Sequence, residues 1–148
     1  MFETIHLMDS LLPKDQPRYL MGVGRPTDLV KSVQSGIDMF DCVLPTRNAR
    51  NGQLFTSKGI INIGNKIHKE SFQKLDSDCG CYTCEHFSRS YLRHLFNIKE
   101  VLGLRLATIH NLTYYLTLME TIRKNIKSEC FSSWSNAYLS EMADHKGM

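Results

Sequence analysis

Gly36-Ile37-Asp38-Met39-Phe40-Asp41-Cys42-Val43-Leu44-Pro45-Thr46-Arg47-Asn48-Ala49-Arg50-Asn51-Gly52 is the stretch on which the reading of this chain turns. Residues 37–44 form an apolar run that predicts a buried strand, and Pro45, which has no N–H to give a ladder, closes it. Side chains alternate along a strand, so Met39, Asp41 and Val43 share one face and Phe40, Cys42 and Leu44 the other, the face suited to packing on helices. An unpaired acid in such a strand is costly, so Asp41 has a partner or a task. Position alone weighs a salt-bridged structural acid and an active group evenly. In parallel β/α folds, active groups gather where Asp41 would lie, at the C-terminal ends of strands.

Working outward, residues 18–23 (Arg-Tyr-Leu-Met-Gly-Val) predict an earlier short strand. Between the two strands, Thr27 can cap a helix that buries Leu29, Val30 and Val33 and ends at Gly36. Residues 1–12 carry Phe2, Ile5, Met8, Leu11 and Leu12 at helical spacing, stopped by Pro13 and Pro17. The order helix, strand, helix, strand argues for parallel β/α units. Gly22-Val23-Gly24 is too short for a dinucleotide fingerprint, because Pro26 and Thr27 occupy its continuation. Met21-Gly22 reads better as a strand end where a flat ligand can approach the backbone.

Beyond Pro45 the texture changes. Residues 46–53 are polar and basic. Arg47 and Arg50 have the paired-donor geometry that suits phosphate and base edges, although by local pattern alone a solvated loop is the simpler reading. Leu54-Phe55 and Ile60–Ile63 predict a hairpin around Ser57-Lys58-Gly59. Residues 85–102 have helical period, with Phe87, Tyr91, Leu95, Ile98 and Leu102 on one face and Gly103 as the break. A further helix is expected over 111–126, with Leu112, Tyr115, Leu116, Met119, Ile122 and Ile126 inward. Phe131, Trp134, Tyr138 and Met142 keep helical spacing, so the tail can dock as well.

Composition sets outer limits. The chain has 148 residues, 42% hydrophobic and 22% charged, with net charge +3. That excludes a disordered chain, leaves room for one ordinary core, and is too short for a complete (β/α)₈ barrel, which takes roughly 200 residues or more. No apolar run approaches the ~20 residues of a membrane helix. Met1-Phe2-Glu3-Thr4 lacks the basic start and apolar core of a secretion signal.

Three of the five cysteines, Cys79, Cys81 and Cys84, fall in a C-x-C-x-x-C run, too tight for comfortable disulfide geometry. A reducing, cytoplasmic setting with a metal site explains them better. Structural zinc takes four tetrahedral ligands, mostly thiolate and imidazole. Gly80 lets three thiols converge, and the fourth ligand comes from His86 or His110. His86 lies so close to Cys84 that it would force an awkward extra turn, so His110 is preferred. With four protein ligands the ion has no open position and serves structure. His6, His68, His94 and His145 read as bystanders.

Taken in order, Arg18–Gly24, Gly36–Gly52, the cysteine run and Thr108-Ile109-His110-Asn111-Leu112 resemble the C-terminal part of a bacterial-type tRNA-guanine transglycosylase (queuine tRNA-ribosyltransferase), from about Met1 to about Ile126. The resemblance implies an α/β fold, the C-terminal fragment of a (β/α)₈ TIM barrel with a zinc-binding insertion and C-terminal helices. Residues 1–53 would be the last barrel units, 54–110 the zinc-binding subdomain and 111–148 the helices. It implies exchange of the wobble guanine of tRNA for a 7-deazaguanine, in the queuosine pathway. Asp41 would be the nucleophile forming a covalent ribosyl-enzyme intermediate. Tyr19, Met21 and Gly22 would line the base pocket, and Thr46, Arg47 and Arg50 would hold the anticodon loop, whose splayed bases suit such contacts. Cys79, Cys81, Cys84 and His110 would bind one structural Zn²⁺. The partners implied are tRNA, the guanine or 7-deazaguanine base, the N-terminal half of the barrel and a second copy in the full-length enzyme. Without that half the chain is expected to be inactive and prone to aggregate. The alternative is a non-catalytic zinc module that binds RNA or a partner.

Overall fold

The computed structural model describes residues 1–144. The first half is built from parallel β/α units. Helix α1 (Phe2–Leu11) leads to strand β1 (Tyr19–Met21), helix α2 (Pro26–Gln34) and strand β2 (Met39–Asp41). The strands pair in parallel, with Tyr19 opposite Met39, Leu20 opposite Phe40 and Met21 opposite Asp41. Both are shorter than the apolar runs that encode them. Arg18, just before β1, joins these elements. Its N–H donates to Asp38 Oδ2 at 2.9 Å, and its carbonyl accepts from the N–H groups of Asp38 and Met39. Its buried guanidinium pairs with Asp9 and donates to the carbonyls of Leu12 and Pro13, satisfying the exit from α1.

The cap of α2 differs from the expectation. Arg25, not Thr27, is the N-cap, and Pro26 occupies the first turn. Proline is pre-organised for that place because its missing N–H would be an orphan anyway. Gly36 follows the helix at φ +84, the left-handed conformation that ends helices.

The larger correction lies beyond β2. Residues 44–50 are a helix, α3 (Leu44–Arg50), with Pro45 in its first turn, not a solvated loop. The proline that stops the strand also starts the helix. Arg47 and Arg50 therefore stand one turn apart on neighbouring positions of a helix face. Strands β3 (Gln53–Thr56) and β4 (Gly59–Asn62) then form the expected antiparallel hairpin.

After a short 3₁₀ turn, Lys66–His68, come α4 (Tyr82–His86), α5 (Arg89–Asn97), α6 (Val101–Lys127) and α7 (Phe131–Asp144). Gly103 does not break a helix as expected; it sits inside α6. The break comes earlier, at Lys99, whose φ is 58. A Cβ at Gly103 would stand 3.0 Å from Leu95 Cβ, so the glycine is there to let α5 and α6 touch. The inward faces also shift. On α5, Leu92 and Leu95 are buried while Tyr91 is exposed, as is Ile98 just past its end. On α6, Tyr115, Leu118 and Ile122 are buried, whereas Leu112, Leu116 and Ile126 face out.

Two cores result. One gathers Ala49, Leu54, Ile63, Leu75, Leu92, Leu95, Leu106 and Ala107 around Cys81 and Cys84. The other joins Leu29 and Val30 of α2 to Phe55, Tyr115, Leu118 and Ile122, with Phe131, Trp134 and Tyr138 of α7 packed on it. The tail helix thus docks on α2 and α6. Among the described residues no helix is long and apolar enough to cross a membrane; His145 lies outside those residues.

Candidate functional site: a strand-end carboxylate and a Cys3His cluster

Asp41 ends β2, in register with Met21 at the end of β1. Its Oδ1 accepts a hydrogen bond from the Tyr19 hydroxyl at 2.7 Å and another from the Gly22 N–H at 3.1 Å. Tyr19 and Asp41 stand on neighbouring strands with side chains on the same face, so the phenol reaches the carboxylate along the sheet. Gly22 follows β1 at φ +73, a conformation that suits glycine and turns its N–H toward Asp41. The Tyr19 hydroxyl, then the Gly22 N–H, hold the Asp41 carboxyl below the ordinary aspartate range, and the same bond raises the phenol. Asp41 is exposed and ionised. Tyr19, Met21, Met39 and Val43 are exposed around it, while Leu20 and Phe40 on the opposite face are half-buried, Phe40 against the core. The expected alternation of faces holds, and Asp41 does not depend on a buried cation.

Thr46, Arg47 and Arg50 follow on α3. The Thr46 hydroxyl donates to the Val43 carbonyl at 3.3 Å, a local bond within the first turn of the helix. Both arginines are exposed. Arg47 lines a cleft of about 600 Å³ with Arg25, Asn48, Gln53, Thr56 and Tyr114; Arg50 does not reach it. The cleft lies between the start of α2, α3 and the β3–β4 hairpin, and its lining does not include Met21, Gly22 or Asp41.

Cys79, Cys81, Cys84 and His110 converge. Their ligating atoms all lie within 4.8 Å of one another. His110 Nδ1 is 3.3 Å from Cys84 Sγ and 3.6 Å from Cys81 Sγ. Tetrahedral zinc, with bonds of about 2.3 Å to sulfur and about 2.0 Å to nitrogen, implies S···N edges of about 3.5 Å. The donor set therefore fits such an ion with little adjustment. His110 Nε2 stands 2.7 Å from the Phe55 carbonyl, to which it donates. That bond leaves Nδ1 bare and pointed at the thiols, the outer-shell arrangement usual for a ligating histidine. Cys81 also caps α4, its Sγ accepting from the Cys84 N–H. The Cys84 thiol bonded to it, and then His110, draw the Cys81 thiol down; the same pairing and burial push Cys84 up. His110 sits in the middle of α6, not after a helix, and His86 is exposed. His68 is buried, and that burial pushes its imidazole pKa down.

Sequence reasoning gave Asn111 no task. It is fully buried; its Nδ2 donates to the carbonyls of Pro45 and Gln53 at 2.9 and 3.0 Å, and its Oδ1 accepts from the Phe55 N–H at 3.1 Å. One side chain thus joins α6, the start of α3 and β3. A polar amide beside apolar helical positions was the available signal.

Comparison with known proteins points one way. Residues 1–144 match the family described as queuine tRNA-ribosyltransferase. A protein of that name from Buchnera aphidicola (strain APS) is 55% identical over 136 residues, covering 90% of this chain and 37% of the relative. One from Vibrio campbellii is 56% identical over 136 residues, covering 92% of this chain and 35% of the relative. One from Francisella tularensis (strain WY96-3418) is 56% identical over 128 residues, covering 86% of this chain. The chain thus spans little more than a third of the length of the curated relatives it matches. A family match over all the described residues, at this identity, means that the chain belongs to the queuine tRNA-ribosyltransferase family.

Proposed function

We propose that this chain is the C-terminal portion of a tRNA-guanine transglycosylase and carries its nucleophile. Residues 1–53 contribute the last β/α units of a (β/α)₈ barrel, 54–110 a zinc-binding subdomain inserted beside them, and 111–148 the closing helices. The observation that carries the reading is Asp41: an ionised, accessible carboxylate at the C-terminal end of a parallel strand, aimed by a phenol and a backbone N–H, where barrel enzymes keep their reacting groups.

The chemistry follows from that carboxylate. Asp41 attacks C1′ of the wobble ribose, the bond from C1′ to guanine breaks, and the base leaves with the bonding electrons and takes up a proton. A ribosyl ester on Asp41 remains. A 7-deazaguanine then gives up a proton, attacks C1′ and expels the carboxylate. Two displacements retain configuration, and each is easier than a direct exchange. Tyr19, Met21 and Gly22 border the base, with the Met21 thioether against the ring. Thr46, Arg47 and Arg50 hold the anticodon-loop backbone and bases. Zn²⁺ held by Cys79, Cys81, Cys84 and His110 supplies cross-linking of the fold, with no open position for substrate.

In this reading the rest of the base pocket and barrel comes from a portion outside these 148 residues, so the isolated chain is inactive. The full-length enzyme pairs as a homodimer, and tRNA as substrate sets a cytoplasmic location. The test is complementation. Mixed or co-expressed with the N-terminal portion of a relative, the chain should restore exchange of labelled guanine into tRNA. Asp41→Asn should abolish it, a loss on the order of 10⁴-fold, with bound zinc unchanged. Exchange that survives Asp41→Asn sinks the reading and leaves the non-catalytic binding module.

A further inference from the structure

The loop that presents Gly22 to Asp41 is pinned from an unexpected direction. Gly24, two residues on, is gripped from two sides. On one, the Cys42 side chain of the segment after β2 lies so close that a Cβ at Gly24 would collide with its Cβ and Sγ. On the other, the Tyr115 hydroxyl of α6 donates to the Gly24 carbonyl at 2.5 Å. Tyr115 is buried, and its ring meets Phe55 edge-on at 5.1 Å between centroids. Phe55 is in turn the residue whose carbonyl holds His110 and whose N–H holds Asn111. The contacts run without a gap from the Cys3His cluster along α6 to the loop that donates to Asp41.

We propose that Tyr115 is a positioning residue for Asp41, acting through the Gly24 carbonyl and the Gly22 N–H. The proposal rests on the reading of Asp41 as the nucleophile, and adds a task for a helix that otherwise belongs to the metal region. The reason is geometric. Chain neighbours apart, nothing stands within 4 Å of where a Cβ at Gly22 would be. No side-chain packing on that side fixes its left-handed conformation, so besides its bond to Asp41 the direction of its N–H is set by the anchored residues on either side, β1 before it and Gly24 after it. Without the Tyr115 hydroxyl, Gly24 keeps the Cys42 side chain beside its Cα, but its carbonyl loses the hydrogen bond that holds it. The Gly22 N–H is then free to leave Asp41, and Tyr19 remains as the titratable group bonded to the carboxylate.

The experiment reads the residue-22 amide by proton–nitrogen NMR and hydrogen exchange, and the Asp41 carboxylate by its carbon-13 shift, at neutral pH, where thiolate and imidazole ligands keep a metal, in the zinc-loaded 148-residue chain and in three variants. Tyr115→Phe keeps the ring and should speed exchange of the Gly22 N–H several-fold and shift the Asp41 carboxylate signal, with bound zinc unchanged. Tyr114→Phe is the control. It removes the neighbouring hydroxyl, which bonds Tyr138 rather than Gly24, and should leave both signals where they were. Gly22→Ala disturbs the other end of the link with Tyr115 intact, and should also release the residue-22 N–H; it keeps the test decisive if Tyr115→Phe folds poorly. In the complemented enzyme, Tyr115→Phe should lower kcat with KM for tRNA unchanged. A residue-22 N–H that exchanges no faster in Gly22→Ala, or no faster in folded Tyr115→Phe, overturns the proposal, as does one released equally by Tyr114→Phe. Those results leave the nucleophile reading untouched, whereas exchange surviving Asp41→Asn ends that reading and leaves the hydrogen-bond link standing.

Discussion

The Cys3His cluster and the Asp41 strand end are built from the same chain but enclosed to opposite degrees. His110 is 0% exposed and Cys84 1%, within a core of fully buried Leu54, Ile63, Leu75, Leu92 and Leu106. Around Asp41, Met21 is 72% exposed and Val43 63%, and the two-stranded sheet leaves that whole face uncovered. The first site is completed by the chain's own fold. The second has a floor, an exposed carboxylate and a phenol bonded to it, and among the described residues nothing stands opposite them. Folding and the proposed chemistry are therefore separable here: the buried region carries its own core, while the reaction proposed at Asp41 would need surface from outside this face to exclude water.

The strongest way to break this comparison is to deny the Cys3His cluster any metal. Structural zinc binding is worth roughly 10–16 kcal/mol in small domains, more than most domains' whole stability. A strong chelator, or Cys84→Ala, should therefore abolish the cooperative thermal transition followed by circular dichroism, with loss of one metal per chain. Asp41→Asn, at an exposed position, should leave that transition within about 0.5 kcal/mol of the parent. A chelated chain that melts unchanged would mean that the buried region does not depend on its cluster.

A graded version compares two apolar side chains of similar size. Leu92→Ala empties space in a fully buried core and should cost about 2–5 kcal/mol in a denaturant titration. Met21→Ala removes a thioether already in water and should cost less than about 0.5 kcal/mol in the isolated chain. If the two cost the same, the Asp41 face is covered in solution. Once the complementing portion is supplied, Met21→Ala should become more costly, measured now as weaker association of the two portions.

How much of this was legible in the sequence follows the same division. The parallel pair and the hairpin could be read because short apolar runs are punctuated by Pro13, Pro17, Gly36, Pro45 and Gly59. The Cys3His grouping could be read because C-x-C-x-x-C has few other uses. Helix α3 could not: Pro45 ends a strand and begins a helix with the same ring, and a polar seven-residue helix has no apolar period to declare it. Gly103 was misread because a glycine that breaks a helix and one that lets two helices touch look alike until the partner, Leu95, is known. The roles of Asn111 and Tyr115 lie in partners 66 and 91 residues away, at Pro45 and Gly24, and no local pattern carries such distances.

The smallest expected effect falls where the two regions meet. Arg47 and Arg50 stand on α3, which follows β2, yet the start of α3 is held by Asn111 from α6, the helix that carries His110. If these guanidinium groups hold single-stranded RNA, each neutralises about one phosphate and contributes about 0.7 to the slope of log affinity against log salt. Arg47→Ala with Arg50→Ala should thus weaken binding of an anticodon stem-loop about tenfold at moderate salt and flatten the salt slope by about 1.4. Filter binding or fluorescence anisotropy at several salt concentrations reads both quantities. The contact is carried by residues within this chain, so the effect should appear with or without the complementing portion, unlike catalysis. An unchanged slope would place the RNA contact elsewhere and leave α3 with a structural role alone. A slope that flattens only after complementation would mean that α3, despite its anchor on α6, belongs functionally with the open face and not with the closed one.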